Sequence, residues 1–411
     1  QLITLLIISA LFVTSAAVLE AAMPAIQTHF SALPNSELTV KIMVTTPALF
    51  TGLAGPFFGS LIDRFGRKYL LLVCLALYGI AGSSGLFLKT LPEILVSRIL
   101  LGITLGGITT ATLALICDYY YGAKRQHVLG LQSACINSGV VFCLITGGFL
   151  SGFSWRLPFA LYLIPLFARP LVIFFIAEPH SKREELQVEG AKPRMQPDTA
   201  EGESLERQFL DENESRDRIN IPFKQIGFIY FLMLFTRIVI FMVPLQTPFY
   251  LAKRFHDTNA EIGLIVTCFN LASILIAINY PKFRAKLSFQ GILTLMYVCL
   301  GLGYLVVYSA NHQLGIVLGL LILGIGWGLF LPNVNVWLST VTPISIRGKA
   351  MGGLTMAMFL GQFISPIAVQ PLIASVGSQT AYGVVGGALL IFALGLCGGV
   401  FTGHYSLKAT A

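Results

Sequence analysis

The sequence predicts an all-α membrane protein in which twelve transmembrane helices form two pseudo-symmetric six-helix halves. Of the 411 residues, 55% are hydrophobic and only 11% are charged, whereas a soluble domain carries about 25% charged residues. Apolar stretches of roughly 20 residues, the length that crosses a bilayer, recur along the chain and can be counted as twelve helices. A polar stretch from His180 to Arg218 separates the sixth helix from the seventh.

Six predicted helices precede the polar stretch, and the first extends from Gln1 to about His29. The small residues Ser15, Ala16 and Ala17 resemble a signal-peptide cleavage site. No basic segment precedes them and further spans follow, so we assign this stretch to helix 1. Helices 2 to 6 are expected at about 38–61, 69–87, 91–119, 128–153 and 156–177.

Helices 7 to 12 are expected at about 223–251, 261–280, 289–308, 314–338, 350–374 and 381–403. The chain therefore divides into an N-terminal half (1–179), a linker (180–221) and a C-terminal half (222–411). The linker is rich in Glu and Asp and contains almost no large apolar residues. It cannot bury a core, so we expect a disordered linker on the cytoplasmic side; a regulatory segment is the alternative.

The basic residues predict the orientation of the helices in the membrane. Most of them fall in loops on one side of the predicted topology, and the opposite side has fewer, chiefly Lys89, Lys253 and Arg254. The positive-inside rule then places both termini in the cytoplasm. Short loops favour a bacterial inner membrane. The net charge of +8 is explained by these loops, and no nucleic-acid-binding motif is present.

Several classes of function are disfavoured by missing motifs. The seven cysteines all fall in apolar stretches without metal-ligand spacing, so we expect free thiols and no metal site. The sequence contains no G-x-S-x-G, H-E-x-x-H or P-loop motif, and its six histidines do not cluster. We therefore expect no enzyme activity, no cofactor and no use of ATP.

A ten-residue motif lies between predicted helices 2 and 3. It has glycines that permit close helix approach or a turn, an acid suited to a helix N-terminus, and basic residues suited to the cytoplasmic side: Gly59-Ser-Leu-Ile-Asp63-Arg64-Phe-Gly66-Arg67-Lys68. It resembles the loop motif G-x-L-x-D-R-x-G-R-K of the major facilitator superfamily at every defining position. The resemblance extends over nearly the whole chain.

This resemblance implies a twelve-helix transporter that works by alternating access. A weak internal repeat agrees with it, since Leu101–Gly107 in helix 4 echoes Leu323–Leu329 in helix 10. Parallel repeats of this kind place the substrate site between the halves, near mid-membrane. Asp118 and Arg125 are expected to form a cytoplasmic charge network with the loop motif, which either latches the outward-open conformation or only anchors the loop.

Two charged residues in the first half are candidates for proton coupling. Glu20 lies well inside an apolar stretch, where an ionisable group is costly, and Pro24 follows to loosen the helix. Glu20-Ala-Ala-Met-Pro24 is similar to the D-x-x-x-P pattern of drug/proton antiporters. Arg98-Ile-Leu-Leu-Gly102 resembles the family's R-x-x-x-G motif, so Arg98 is expected to tune Glu20. The alternatives are a permanently paired carboxylate and an arginine that only bonds backbone carbonyls.

The substrate site is expected mainly in the second half. Arg237 falls near mid-membrane in helix 7, a cavity-lining helix in this superfamily, and a buried guanidinium suits a carboxylate or phosphate. Polar and aromatic residues that fit a small-molecule pocket complete the candidate set, although each fits helix–helix packing equally well; they are Gln246, Asn270, Trp327, Asn333, Asn335 and Gln362.

The leading hypothesis is a monomeric, proton-coupled antiporter that exports amphipathic small molecules from the cell. One departure leaves the direction of transport open: the family's G-x-x-x-G-P-x-x-G-G run in helix 5 has Cys143-Leu144 in place of the central Gly-Pro. The alternatives are uptake of an anionic metabolite, such as a carboxylate siderophore, and a non-transporting receptor on the same fold.

Overall fold

The computed structural model describes residues 1–12, 14–120, 122–178, 222–343 and 346–401. The predicted linker 180–221 lies outside the described residues. Every regular element within the described ranges is helical, which confirms the all-α fold class.

The described residues of helix 1 form α1 (Leu2–Phe12), α2 (Thr14–Glu20) and α3 (Met23–His29). A turn at 21–22 separates α2 from α3, and Pro24 lies in the first turn of α3, as expected for a residue that cannot continue a hydrogen-bonded helix. The rest of the first half consists of α4 (Ser36–Phe65), α5 (Arg67–Ser83), α6 (Leu91–Tyr119), α7 (Gly122–Ser151), a 3₁₀ segment (Leu157–Leu163) and α8 (Ile164–Phe175).

Helix 7 is also interrupted, at Phe241, which divides it into α9 (Phe223–Ile240) and α10 (Met242–Arg254). The remaining helices of the second half are α11 (Asn259–Arg284), α12 (Phe289–Ser309), α13 (Gln313–Val341), α14 (Arg347–Val376) and α15 (Ser378–Phe401). The described residues contain eleven helical spans long and apolar enough to cross a membrane. The segmented helix 1 accounts for the twelfth predicted helix.

Local sequence signals explain where several helices begin. Thr90 accepts a hydrogen bond from the backbone N–H of Glu93, and the Glu93 side chain accepts one from the backbone of Thr90, so the pair caps α6. Thr258 and Glu261 form the same capping box at the start of α11. Each box satisfies backbone N–H groups that a helix N-terminus leaves without partners.

The two halves meet at one end of the bundle. We call the face that carries the Gly59–Lys68 loop the motif face and the opposite face the far face. Near the far face α7 packs so closely on α11 that a Cβ atom added to Gly148 would lie 2.4 Å from the Asn259 carbonyl oxygen. Within the described ranges, every hydrogen bond between the halves also lies near the far face. The structure is therefore closed on the far face.

Candidate functional site

Glu20 is the last residue of α2 and is only 6% exposed. The turn at 21–22 follows it directly, so the carboxylate lies beside the interruption of helix 1. Arg237 of the second half is the cation that acts on it electrostatically. Glu20 nevertheless belongs to none of the ion pairs found among the described residues, so the two charges interact at a separation greater than that of a direct ion pair.

Arg237 lies near the end of α9, and its guanidinium group is contacted by three residues. Its Nη2 donates a hydrogen bond of 2.6 Å to Oε1 of Gln362 on α14. Its guanidinium carbon lies 4.8 Å from the ring centre of Phe241 and 5.1 Å from that of Trp327. Its Nε is buried and has no hydrogen-bond partner in the described part of the chain. Three of the predicted site residues, Arg237, Trp327 and Gln362, are thus brought together. We call this group with Phe241 the Arg237 cluster.

Arg98 is fully buried, but it does not form the predicted ion pair with Glu20. Its Nη2 donates a hydrogen bond of 2.9 Å to the Gly82 carbonyl oxygen. Its guanidinium carbon lies 5.0 Å from the ring centre of Phe159 and 4.9 Å from that of Tyr162. Tyr162 interacts electrostatically with both Arg98 and Glu20. Tyr162 therefore interacts with both of the groups that the sequence places in direct contact, and it forms a hydrogen bond with Arg98.

No hydrogen bond joins the other predicted pocket residues to the Arg237 cluster within the described part of the chain. Asn333 is fully buried: it accepts a hydrogen bond from Tyr280 Oη at 3.1 Å and donates one to the Phe289 carbonyl at 3.0 Å, so it joins α11, α12 and α13. Asn335 donates a hydrogen bond to the carbonyl one turn earlier in α13. Asn270 is half-buried on α11. Gln246 lies near the far face.

A polar cluster that sequence reasoning largely missed surrounds Gln246. Lys41 of α4 is only 1% exposed, and its Nζ donates to three acceptors: Glu37 Oε1 at 2.8 Å, Gln246 Oε1 at 2.5 Å and Gln370 Oε1 at 2.9 Å. Lys253 Nζ lies 2.8 Å from the second oxygen of Glu37. We call these five residues the far-face cluster. Its only sequence signal is a Glu–Lys pair four residues apart at the start of helix 2.

The loop motif forms part of its predicted charge network. Arg67 Nε lies 3.0 Å from Asp118 Oδ2, so the loop is tied to the motif-face end of α6. Gly66 has a φ of +86°, as predicted for the turn. Arg64 lies over the ring of Phe65 at 5.4 Å. The side chains of Asp63 and Arg125 lie outside the described residues.

One expectation for the loop is corrected, and the N-terminus of α5 holds an anion that sequence reasoning missed. The anion at the N-terminus of α5 is Glu178, whose two carboxylate oxygens accept the backbone N–H groups of Arg67 at 2.6 Å and Lys68 at 2.8 Å. No sequence motif marks Glu178, which follows helix 6. Gly59 does not mediate a close helix contact, because a Cβ atom added there would meet nothing within 4 Å. The prediction failed because this side of α4 faces open space.

The sequence matches a known protein family over most of its length. A family model described as Major Facilitator Superfamily matches residues 5–247 and 226–404. Multidrug resistance protein 1 of Bacillus subtilis is 31% identical over 41% of this chain, and the match spans 44% of that relative's length. A multi-drug resistance efflux pump PmrA homolog of Lactococcus lactis is 26% identical over 87% of this chain and 83% of its own.

Two further matches are to proteins that are not named as drug-resistance or efflux proteins. A cis,cis-muconate transport protein of Acinetobacter baylyi is 25% identical over 82% of this chain and 79% of its own length. Among solved structures, a D-xylose-proton symporter superposes with a TM-score of 0.74 over 96% of each chain at 16% identity. At that identity the structural likeness shows the fold alone.

Proposed function

Because this chain belongs to the major facilitator superfamily, we propose that it is a proton-coupled transporter that exports amphipathic organic compounds by alternating access. It is a transporter and not an enzyme. Members of this family bind small-molecule substrates in a bilayer and are typically monomeric, which fits the proposal. The energy would come from protons moving through the same protein in the opposite direction.

One observation supports the proton-coupling proposal: Glu20 of the first half is buried beside the interruption of helix 1, and the cation that interacts with it electrostatically is Arg237 of the second half. An ionised carboxylate is costly to bury unless a cation compensates it. Rocking of one half against the other changes the separation of these two groups. Glu20 would then remain ionised while Arg237 is near and bind a proton when Arg237 moves away.

The Arg237 cluster is the proposed substrate site. Trp327 and Phe241 supply aromatic faces, and Gln362 supplies an amide for hydrogen bonds. Apolar surface with a few polar groups suits an amphipathic molecule. The similarity to multidrug efflux relatives favours export over import.

We assign the motif face to the cytoplasm, because it carries most of the basic loop residues. The structure, closed on the far face, would then represent an inward-facing conformation. Both chain termini would be cytoplasmic, and bacterial relatives support a location in a bacterial inner membrane.

Uptake of an anionic metabolite, such as a carboxylate siderophore, is the second candidate. The observation that favours it is Arg237, whose buried Nε has no partner in the described ranges and suits a carboxylate oxygen. The similarity to a cis,cis-muconate transport protein also favours an anionic substrate.

Proton movement in proteoliposomes tests both candidates. The assay follows internal pH while lipophilic cations or carboxylates are added to wild type, Glu20→Gln and Arg237→Ala. Proton movement opposite to a cationic compound, abolished by Glu20→Gln, would support export. Co-movement with a carboxylate, lost in Arg237→Ala, would support uptake instead.

A matched variant controls for the loss of a carboxylate. Glu261→Gln keeps its capping role, because Gln serves in a capping box as Glu does, and it should leave proton movement unchanged. Proton-linked flux that persists in Glu20→Gln would remove Glu20 from the mechanism. Absence of flux with every compound would favour a receptor.

A further inference from the structure

We propose that the far-face cluster is an interlock that holds the two halves together in the closed far-face conformation and must be dismantled before that face can open. The inference requires only that the halves separate at the far face. It does not depend on proton coupling or on the identity of the substrate.

The cluster joins the halves through a buried ammonium group. Lys41 belongs to α4 of the first half, while its acceptors Gln246 and Gln370 belong to α10 and α14 of the second. An ammonium group has three N–H donors, and the three acceptors around Lys41 match that number. The ammonium also lies 5.0 Å from the ring centre of Phe249. This site fully satisfies a charge that would otherwise be costly to bury.

Glu37 forms ion pairs with two lysines, one from each half. Its Oε1 contacts Lys41, one turn away on the same helix, and its Oε2 contacts Lys253 of α10. Separation of the halves breaks the bonds from Lys41 to Gln246 and Gln370 and the contact between Glu37 and Lys253. The bond between Glu37 and Lys41 survives, because both residues belong to α4. Glu37 would therefore compensate Lys41 in both conformations.

The two lysines contribute unequally to the interlock. The Lys41 side chain is 2% exposed, whereas the Lys253 side chain is 61% exposed. Hydrogen bonds to a buried charge are stronger than an exposed ion pair, which solvent and salt weaken. Loss of Lys41 should therefore affect the closed face more than loss of Lys253.

Hydrogen–deuterium exchange of the full chain in lipid nanodiscs tests the proposal with Lys41→Met, which keeps a long side chain but removes the charge. We expect amide exchange to rise about tenfold in Ser36–Thr45 and Met242–Arg254, which corresponds to about 1.4 kcal/mol, the net contribution of one hydrogen bond. Exchange on the motif face, in the first turns of α9 and α14, should fall, because opening of one face closes the other.

Two further variants serve as the negative control and the positive control. Lys282→Met makes the same substitution on α11. Among the described residues Lys282 donates a hydrogen bond only to Asn279 of its own helix, so this variant should change neither face. Gly148→Val places a side chain against the Asn259 carbonyl and should open the far face without touching the cluster.

Three outcomes would overturn the proposal. Exchange in Lys41→Met that matches the wild type would show that the cluster does not hold the face closed. A rise on both faces would show general loss of structure and not a shift between conformations. A larger rise in Lys253→Gln than in Lys41→Met would show that the buried lysine is not the principal link.

Discussion

The Arg237 guanidinium and the Gln362 amide are joined by a 2.6 Å hydrogen bond between α9 and α14, within the second half. Gln362 thereby fixes the cation that faces Glu20. Any change that gives Arg237 a closer anion should weaken its interaction with Glu20, because two carboxylates would then compete for one guanidinium group.

Gln362→Glu makes that change. We expect the new carboxylate to pair directly with Arg237, so that thermal stability is unchanged or raised while proton-linked flux falls about tenfold or more, equivalent to at least about 1.4 kcal/mol. Flux in proteoliposomes and the Tm in detergent measure the two effects. Gln379→Glu is the matched control, because Gln379 also accepts a hydrogen bond from an arginine, Arg254, but at the far surface. Wild-type flux in Gln362→Glu would contradict the role given to Arg237.

Tyr162→Phe tests whether the tyrosine hydroxyl links Arg98 to Glu20. The ring that packs on Arg98 is retained, but the hydrogen bond between the hydroxyl and Arg98 is lost, so stability should fall by about 0.5–1.5 kcal/mol. The pH at which flux is half-maximal should also move upward. The reason is that the Glu20 carboxylate loses a neighbouring hydroxyl dipole. Flux is measured across a series of external pH values.

Tyr304→Phe is the control. Tyr304 Oη donates a hydrogen bond of 2.6 Å to the Val239 carbonyl oxygen, so loss of this hydroxyl should lower stability by about 0.5–1.5 kcal/mol without moving the pH profile. An unchanged profile in Tyr162→Phe would remove the link.

Glu178→Gln tests the anion at the start of α5. The backbone N–H groups of Arg67 and Lys68 would keep only an amide oxygen in place of a carboxylate. We expect the Tm to fall by about 2 °C, because a helix N-terminus favours a negative charge. Scanning calorimetry at low and high salt measures the change, which should shrink as salt screens the charge. A salt-independent loss would point to packing instead.

Asp257, in the loop between α10 and α11, gives a pH-dependent prediction. Burial raises the pKa of its carboxyl group, the Glu261 carboxylate raises it further, and a hydrogen bond from Gln313 opposes both. A carboxyl whose folded-state pKa is raised destabilises the fold when ionised, and this penalty disappears as pH falls below its unfolded-state pKa. Asp257→Asn should therefore raise the Tm at neutral pH and lose that advantage in acid. An advantage that persists at acid pH would contradict this account.

The fold was accessible from sequence because membrane helices are marked by length and hydropathy alone. The importance of Glu20 and Arg237 was accessible for a similar reason, since a charge within an apolar stretch stands out. The direction in which a side chain points was not accessible. Asn333 and Gln362 look alike in the sequence, yet one joins three helices and the other holds Arg237.

Contacts between distant segments account for the remaining errors. Lys41 lies one turn inside helix 2 and looks like a lysine that extends to the membrane surface. Only the tertiary structure shows that Gln246 and Gln370 enclose it. Arg98 was matched to Glu20 by its motif and its depth, and no sequence signal indicates that Tyr162 interacts with both groups.

The interruptions in helices 1 and 7 have a mechanical consequence. Each interruption comes within four residues of a central charge, Glu20 or Arg237, and separates it from a short terminal segment, α3 or α10. These two terminal segments contact each other at the far face. We therefore expect helices 1 and 7 to bend at these two points when the far face opens, while the parts that carry the charges stay in place. Access from the far side and movement of the charges would then be two separate steps.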